Sequence, residues 1–380
     1  MRNKGPRRRK PLNSLLIKPA GPDCNLACSY CFYSSRASLF PGTPVHRMSD
    51  DVLEETLRQA LSGSQGTVSV GWQGGEPTLM GLDFFKRAIE IEARYGQGKA
   101  VANALQTNGL LLDREWARFL RNYDFLVGLS IDGPEHVHDR YRRNAAGRGT
   151  WADVKDKAKL LLDEGVSVNA ISVINDHSVK FPREIYEFHR SIGLDHMQFI
   201  PCVETARDDP GRAAAFSVPA EDLGDFLIAV FDLWSAAIGT PDQIYVRFFE
   251  SLFFGYVGMR PPECLFLPEC GDYVVVEHNG DIYSCDFFVE DRWKLGNVMT
   301  GRLEHMLNSG RQKEFGERKS ALPGPCRACR WLERCRGGCP KDRLRDPRDA
   351  GLDHFCPAYK AFFEHADARF KELAERWKKG

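Results

Sequence analysis

The chain has 380 residues, 43% of them hydrophobic, enough for two or three domains and a sizeable core. Its 52 acidic side chains balance 52 Lys plus Arg, so nothing in its charge points to a nucleic-acid or membrane partner, and no apolar stretch is long enough to cross a bilayer. The 12 cysteines come without a secretory signal, which argues against a disulfide framework and for metal binding in a reducing compartment, hence a cytoplasmic protein.

Residues 1–11 form a polar arm with one basic run, Arg7-Arg8-Arg9-Lys10, expected to be solvated and disordered. Over residues 12–243 strand-like and helix-like segments alternate. Leu15-Leu16-Ile17 predicts a short buried strand that runs into Cys24-x3-Cys28-x2-Cys31. Ser49, followed by Asp50 and Asp51, predicts the cap of a helix carrying Leu53, Leu57, Ala60 and Leu61 at helical spacing. A strand over 68–72 ends in Gln73-Gly74-Gly75-Glu76-Pro77, and a helix follows over 82–95. The next strand, 101–105, ends in Gln106-Thr107-Asn108-Gly109, and Trp116, Phe119 and Leu120 mark the next helix.

A strand over 125–129 ends in Ser130-Ile131-Asp132-Gly133. Thr150 is the expected cap of a helix that stops at Gly165. Strands over 166–173 and 196–201 flank a helix over 182–192, and an amphipathic helix over 220–238 closes this half. Six βα units of this kind predict a parallel sheet with right-handed crossovers, and a partial (β/α)6 barrel accommodates six better than an open sheet. Polar motifs at the C-terminal ends of the strands stand where such barrels assemble their sites.

The stretch 244–357 changes character. Short strands over 273–276 and 281–283 are joined by Glu277-His278-Asn279-Gly280, and Asn-Gly is a strong hairpin signal. A Cys-dense segment runs from Cys326 to Cys356. Residues 358–380 form a charged C-terminal helix with Phe362, Phe363, Ala366 and Phe370 on one face.

Thiolates select zinc, copper(I) and iron–sulfur clusters. A structural zinc wants four ligands, and beside the Cys24 triplet the first His is His46. A four-iron cube held by three thiolates keeps one iron open to a second molecule. The triplet, with Tyr30 before its third Cys and Phe32-Tyr33 after it, resembles the cluster loop of radical S-adenosylmethionine (SAM) enzymes. In that family the open iron binds the amino and carboxylate groups of S-adenosyl-L-methionine, whose cleavage releases a 5′-deoxyadenosyl radical.

The resemblance extends along the chain. Gly74-Gly75-Glu76 is similar to the family's motif for the methionine amino group, although Gly-Gly-Glu-Pro read alone is a plain turn. Ser130 and Asp132 match its Ser-x-Asp-Gly pattern for the cofactor's carboxylate and ribose. Arg142 can pair with the methionine carboxylate, with Arg143 adjacent to it and a surface ion pair as the other reading. Tyr33, Gln73 and Gln106 are implied to face the substrate peptide and the cofactor, or else satisfy buried polar groups.

The run Cys326-x2-Cys329-x5-Cys335-x3-Cys339 resembles the auxiliary-cluster domain known as SPASM. That implies one 4Fe-4S cluster on Cys264, Cys270, Cys285 and Cys339, and a second on Cys326, Cys329, Cys335 and Cys356. With the SAM-binding cluster there are three; two structural zincs are the alternative occupants of the eight later thiols. Cys202 is left as an ordinary buried thiol.

Asp286, directly after Cys285, resembles the general base of anaerobic sulfatase-maturating enzymes, which commonly show Pro where Ser284 stands. This family resemblance implies oxidation of a Cys or Ser in an unfolded or nascent sulfatase polypeptide to Cα-formylglycine, by hydrogen abstraction at Cβ. It also implies an electron donor such as flavodoxin or ferredoxin. Two rivals remain. One is a SPASM-type maturase forming a thioether or C–C crosslink in a ribosomal peptide, for which residues 1–11 are short as a leader-binding domain. The other is a non-catalytic zinc protein.

Overall fold

The computed structural model describes residues 9–64, 66–343 and 351–379. Residues 1–8 of the expected arm lie outside the described residues. Lys10, near the end of the arm, is anchored: its amide donates to Asn308 Oδ1 at 2.8 Å and its Nζ pairs with Asp272, also at 2.8 Å.

Six strands run parallel in chain order: β1 (Ser14–Lys18), β2 (Val68–Trp72), β3 (Val101–Thr107), β4 (Leu126–Ser130), β5 (Ser167–Ile174) and β6 (His196–Pro201). Helices alternate with them, as the six βα units predict. β5 is buried along nearly its whole length, as a parallel strand covered on both faces should be. Two residues, β7 (Tyr245–Val246), extend the sheet beyond β6.

At the other edge, β8 (Val274–Glu277) pairs in parallel with β1, and β9 (Asp281–Tyr283) and β10 (Lys294–Asn297) follow in antiparallel. The predicted hairpin therefore continues the barrel sheet, placing Glu277 opposite Lys18 in register. A second joint lies on the opposite flank. There the C-terminal helix Cys356–Lys379 packs on the helix Ala220–Ala237 through Phe231, Trp234, Phe362 and Phe370.

Local side-chain caps account for some helix starts. Ser49 Oγ accepts from the Val52 amide, and Asp50 and Asp51 sit at the positive end of that helix. The expected Thr150 cap is replaced. Asp139 Oδ1 accepts from the amides of both Thr150 and Trp151, at 2.8 and 2.9 Å, and caps the helix Trp151–Asp163 from an earlier loop. Thr150 Oγ1 instead donates to the Arg142 carbonyl. Gly149 allows this approach, since a Cβ there would stand 2.0 Å from Asp139 Oδ2.

Candidate active site

The three-cysteine loop leaves β1 and is held from two sides. The Ala27 amide donates to the Arg143 carbonyl at 2.8 Å, and the Gly75 and Glu76 amides donate to the carbonyls of Gly21 and Asp23 at 2.8 and 2.7 Å. A Cβ on Gly75 would lie 1.9 Å from the Asp23 oxygen, so no other residue fits this contact. Cys24 is exposed, Cys28 and Cys31 half-buried. Burial pushes the free Cys28 thiol up to about 11.

Glu76 is buried and serves as a hub. Its Oε1 accepts from the Thr78 amide, Thr78 Oγ1 and Thr107 Oγ1, and its Oε2 from the Asn108 amide at 2.8 Å. One carboxylate thus ties the ends of β2 and β3 together, with remaining acceptor capacity on Oε2 alone. Burial raises its pKa against these bonds.

Across the mouth, Tyr30 OH donates to Asp132 Oδ2 at 2.6 Å, and the Val173 amide donates to Oδ1 at 2.9 Å. Arg142 Nε faces the same Oδ2 at 3.0 Å as an ion pair, off the axis of a hydrogen bond. Burial works against the charge of Arg142, but Asp132, Tyr30 and Cys28 outweigh it and its pKa is raised. Arg143 spends its guanidinium on the carbonyls of Asp139 and Gly147 at the surface. Of the two arginines only Arg142 therefore turns its guanidinium toward the cysteine loop, beside Cys28. Ser130, at the end of β4, is buried on the same side.

Gln73 and Gln106 are half-buried at the ends of β2 and β3. Tyr33 is fully committed: it is buried, and its OH donates to both oxygens of Glu277, at 2.6 and 2.7 Å. Lys18 Nζ lies 3.5 Å from the centre of the Tyr33 ring, buried and without a hydrogen-bond partner. Burial lowers the pKa of Lys18 against the pull of Glu277, Asp286, Cys285 and Cys31. Neither Lys18 nor Glu277 is marked by a motif. The signal for both is a charged residue closing an apolar strand at the barrel mouth.

Asp286 opens a short 3-10 turn and is buried. Tyr273 OH donates to its Oδ1 at 2.8 Å, and the Cys285 sulfur is 3.4 Å from the same oxygen. Tyr273, expected only as the first residue of a strand, thus orients the carboxylate beside a cysteine. Phe287 packs on Phe32 at 4.8 Å between ring centres, bringing the turn against the three-cysteine loop.

Six of the eight later thiols have another of the eight as an electrostatic neighbour. Cys264 feels Cys270, Cys339 feels Cys264, and Cys285 feels Cys339. Cys326 feels Cys329, Cys335 feels Cys356, and Cys356 feels Cys326. The second four also line one cavity together with Trp331, Tyr359 and Lys360. These neighbours are compatible with the two quartets that the resemblance implies. Among the described residues no three Cys, His, Asp or Glu side chains sit close enough to hold a single metal ion. A cube of iron and sulfide is a larger object, and thiols set apart around a cavity suit it better than an ion. Cys202 is buried away from these groups, its thiol pushed up to about 12 by burial.

Residues 19–188 match the Radical SAM superfamily, and residues 264–330 match SPASM, an iron–sulfur cluster-binding domain. Sheet, three-cysteine loop and paired quartets thus define a radical SAM protein with an auxiliary iron–sulfur domain. Over 94% of its length the chain is 38% identical to a serine-type anaerobic sulfatase-maturating enzyme of Bacteroides thetaiotaomicron, covering 89% of it. A cysteine-type enzyme of Clostridium perfringens is 34% identical over 97% of this chain and 100% of its own. The solved structure of native anSMEcpe with bound AdoMet and Cp18Cys peptide superimposes with a TM-score of 0.87 at 32% identity, covering 96% of this chain and 99% of that one. The chain belongs to the family of anaerobic sulfatase-maturating enzymes.

Proposed function

We propose that the protein oxidises a Cys or Ser side chain in an unfolded or nascent sulfatase segment to Cα-formylglycine. The observation that carries this reading is the Asp286 carboxylate, set by Tyr273 against Cys285 and packed, through Phe287 on Phe32, onto the three-cysteine loop. Cys24, Cys28 and Cys31 would hold a 4Fe-4S cluster with one open iron. Cys264, Cys270, Cys285 and Cys339, and Cys326, Cys329, Cys335 and Cys356, would hold two fully ligated ones. When bound, these clusters and S-adenosylmethionine supply the hydrogen-abstracting radical and a one-electron acceptor.

The chain's own residues do the rest. Gly74 and Gly75 let backbone carbonyls approach the cofactor's amino group, and Glu76 Oε2 has capacity for one of its protons. Arg142 presents a buried guanidinium for the methionine carboxylate, held in place by Asp132. Tyr30, Ser130 and Asp132 line the side that would take the ribose. Gln73 and Gln106 are free to bond a peptide backbone. Tyr33, bound to Glu277, supports the site from beneath. Asp286 takes the proton from the substrate thiol or hydroxyl, as a positioned carboxylate can. Burial of these groups keeps water from the radical. An electron donor such as flavodoxin or ferredoxin would supply the reducing equivalents.

The test is anaerobic incubation with S-adenosylmethionine, a reductant and sulfatase-type peptides carrying Cys or Ser. Mass spectrometry and an aldehyde-reactive probe should show a formylglycine peptide. A crosslinked product that the probe does not label would favour the ribosomal-peptide rival instead.

A further inference from the structure

Lys319 lies in the helix Gly310–Ser320 and is completely buried. Its Nζ donates to the backbone carbonyls of Cys264 and Leu265, at 2.7 and 2.6 Å. These two acceptors satisfy most of its hydrogen-bonding needs but carry no charge. Among the described residues no carboxylate forms an ion pair with it; burial lowers its pKa, and Cys270, Cys264 and Cys339 are the groups that pull it back up. The remaining strong influence is Arg343, a second buried cation, whose guanidinium donates to the Lys319 carbonyl at 3.0 Å.

An ammonium removed from water is costly unless an opposite charge stands beside it. Among the described residues no aspartate or glutamate supplies that charge, and the thiolates of one quartet can. Four thiolates outweigh the positive iron–sulfide core they would hold, so the assembly carries net negative charge, and one-electron reduction adds another. A fixed cation at its edge favours the reduced form over the oxidised one. We propose that Lys319 is the counter-charge of the cluster held by Cys264, Cys270, Cys285 and Cys339, and that it raises that cluster's reduction potential. This rests on the reading that the quartet holds a 4Fe-4S cluster. The consequence is directional: the cluster beside Asp286 becomes the better acceptor for the electron that the substrate radical gives up, while the proton goes to Asp286.

Wild type, Lys319→Met and Lys319→Arg are purified anaerobically with their clusters, analysed for iron and sulfide, and titrated potentiometrically with electron paramagnetic resonance as the readout. The expected result is a negative shift of one cluster in Lys319→Met, the other clusters unmoved, and a wild-type titration in Lys319→Arg. A Lys319→Met protein whose clusters all titrate as in wild type overturns the proposal. If Lys319→Met fails to retain the iron of one cluster, retention by Lys319→Arg supports the need for a cation, and loss in both variants overturns it. Iron content of the wild type tests the underlying reading separately: too little iron for the quartet refutes the cluster itself, whatever the variants do.

Discussion

In the proposed reaction Asp286 is the residue on which the chemistry turns. Asp286→Asn keeps the shape and the Tyr273 contact but removes the proton acceptor. Cleavage of S-adenosylmethionine should persist while aldehyde yield falls by about two orders of magnitude. Wild-type aldehyde yield from that variant would remove Asp286 from the mechanism. Gly75→Ala makes the opposite kind of change. Its Cβ meets the Asp23 carbonyl, a main-chain atom that cannot retreat without moving Cys24. Overpacking of this kind costs about 1–3 kcal/mol, so iron bound at the three-cysteine loop and thermal stability should fall together. The cysteine sets and Asp286 could be picked out as residue types at characteristic spacings, whereas spacing alone does not separate Arg142 from Arg143. Lys18, Glu277, Tyr273 and Lys319 could not be picked out, because each acts through a partner far away in sequence. Of the two readings of Tyr33, a contact to peptide and cofactor or a partner for a buried polar group, the hydroxyl bonded to Glu277 fits the second.

At the scale of elements, the strands β1 to β6 were readable because each is a short apolar run bounded by turn residues. β7 and β10 were not: one is two residues long and the other carries a bulge and mixed polarity. The Asp139 cap was hidden for a similar reason, since the capping side chain precedes its helix by eleven residues or more. A polar chain behind the sheet makes a further prediction. Trp72 Nε1 donates to Asn103 Oδ1 at 2.8 Å, Asn103 Nδ2 donates to Glu92 Oε2 at 2.9 Å, and Glu92 Oε1 is buried without a partner. Burial pushes Glu92 up to about 7. A carboxyl whose folded value lies above its unfolded value near 4.5 binds more protons when folded, so its contribution to stability declines as pH rises from about 4.5 to 7. Glu92→Gln keeps the acceptor and removes the charge. It should therefore unfold less readily than wild type at pH 8, by about 1–3 kcal/mol, and lose the advantage near pH 4. Equal denaturation midpoints at both pH values would contradict this.

Taken whole, the molecule is a barrel sheet whose open edge is finished by the cluster-bearing half. Pairing of β8 with β1 puts Glu277 beside Lys18 and carries Cys285 and Asp286 to the mouth. Sequence periodicity reveals strands but not which distant strands pair, so the separation expected near residue 243 gave no hint of this shared sheet. The outer quartet sits farther along the same half, with Cys356 at the start of the C-terminal helix. Cys356→Ala should lower iron by about four atoms per chain, one four-iron cluster, from about twelve to about eight, and leave 5′-deoxyadenosine formation intact. An unchanged iron content would remove Cys356 from the ligand set.

The account stands on a cluster at the barrel mouth whose protein ligands leave one iron open for S-adenosylmethionine. The yield of 5′-deoxyadenosine from anaerobic, iron-loaded protein given reductant and S-adenosylmethionine tests it most directly. Wild type should produce the nucleoside and Cys28→Ala should not. No product from loaded wild type, or equal product from both, would contradict it.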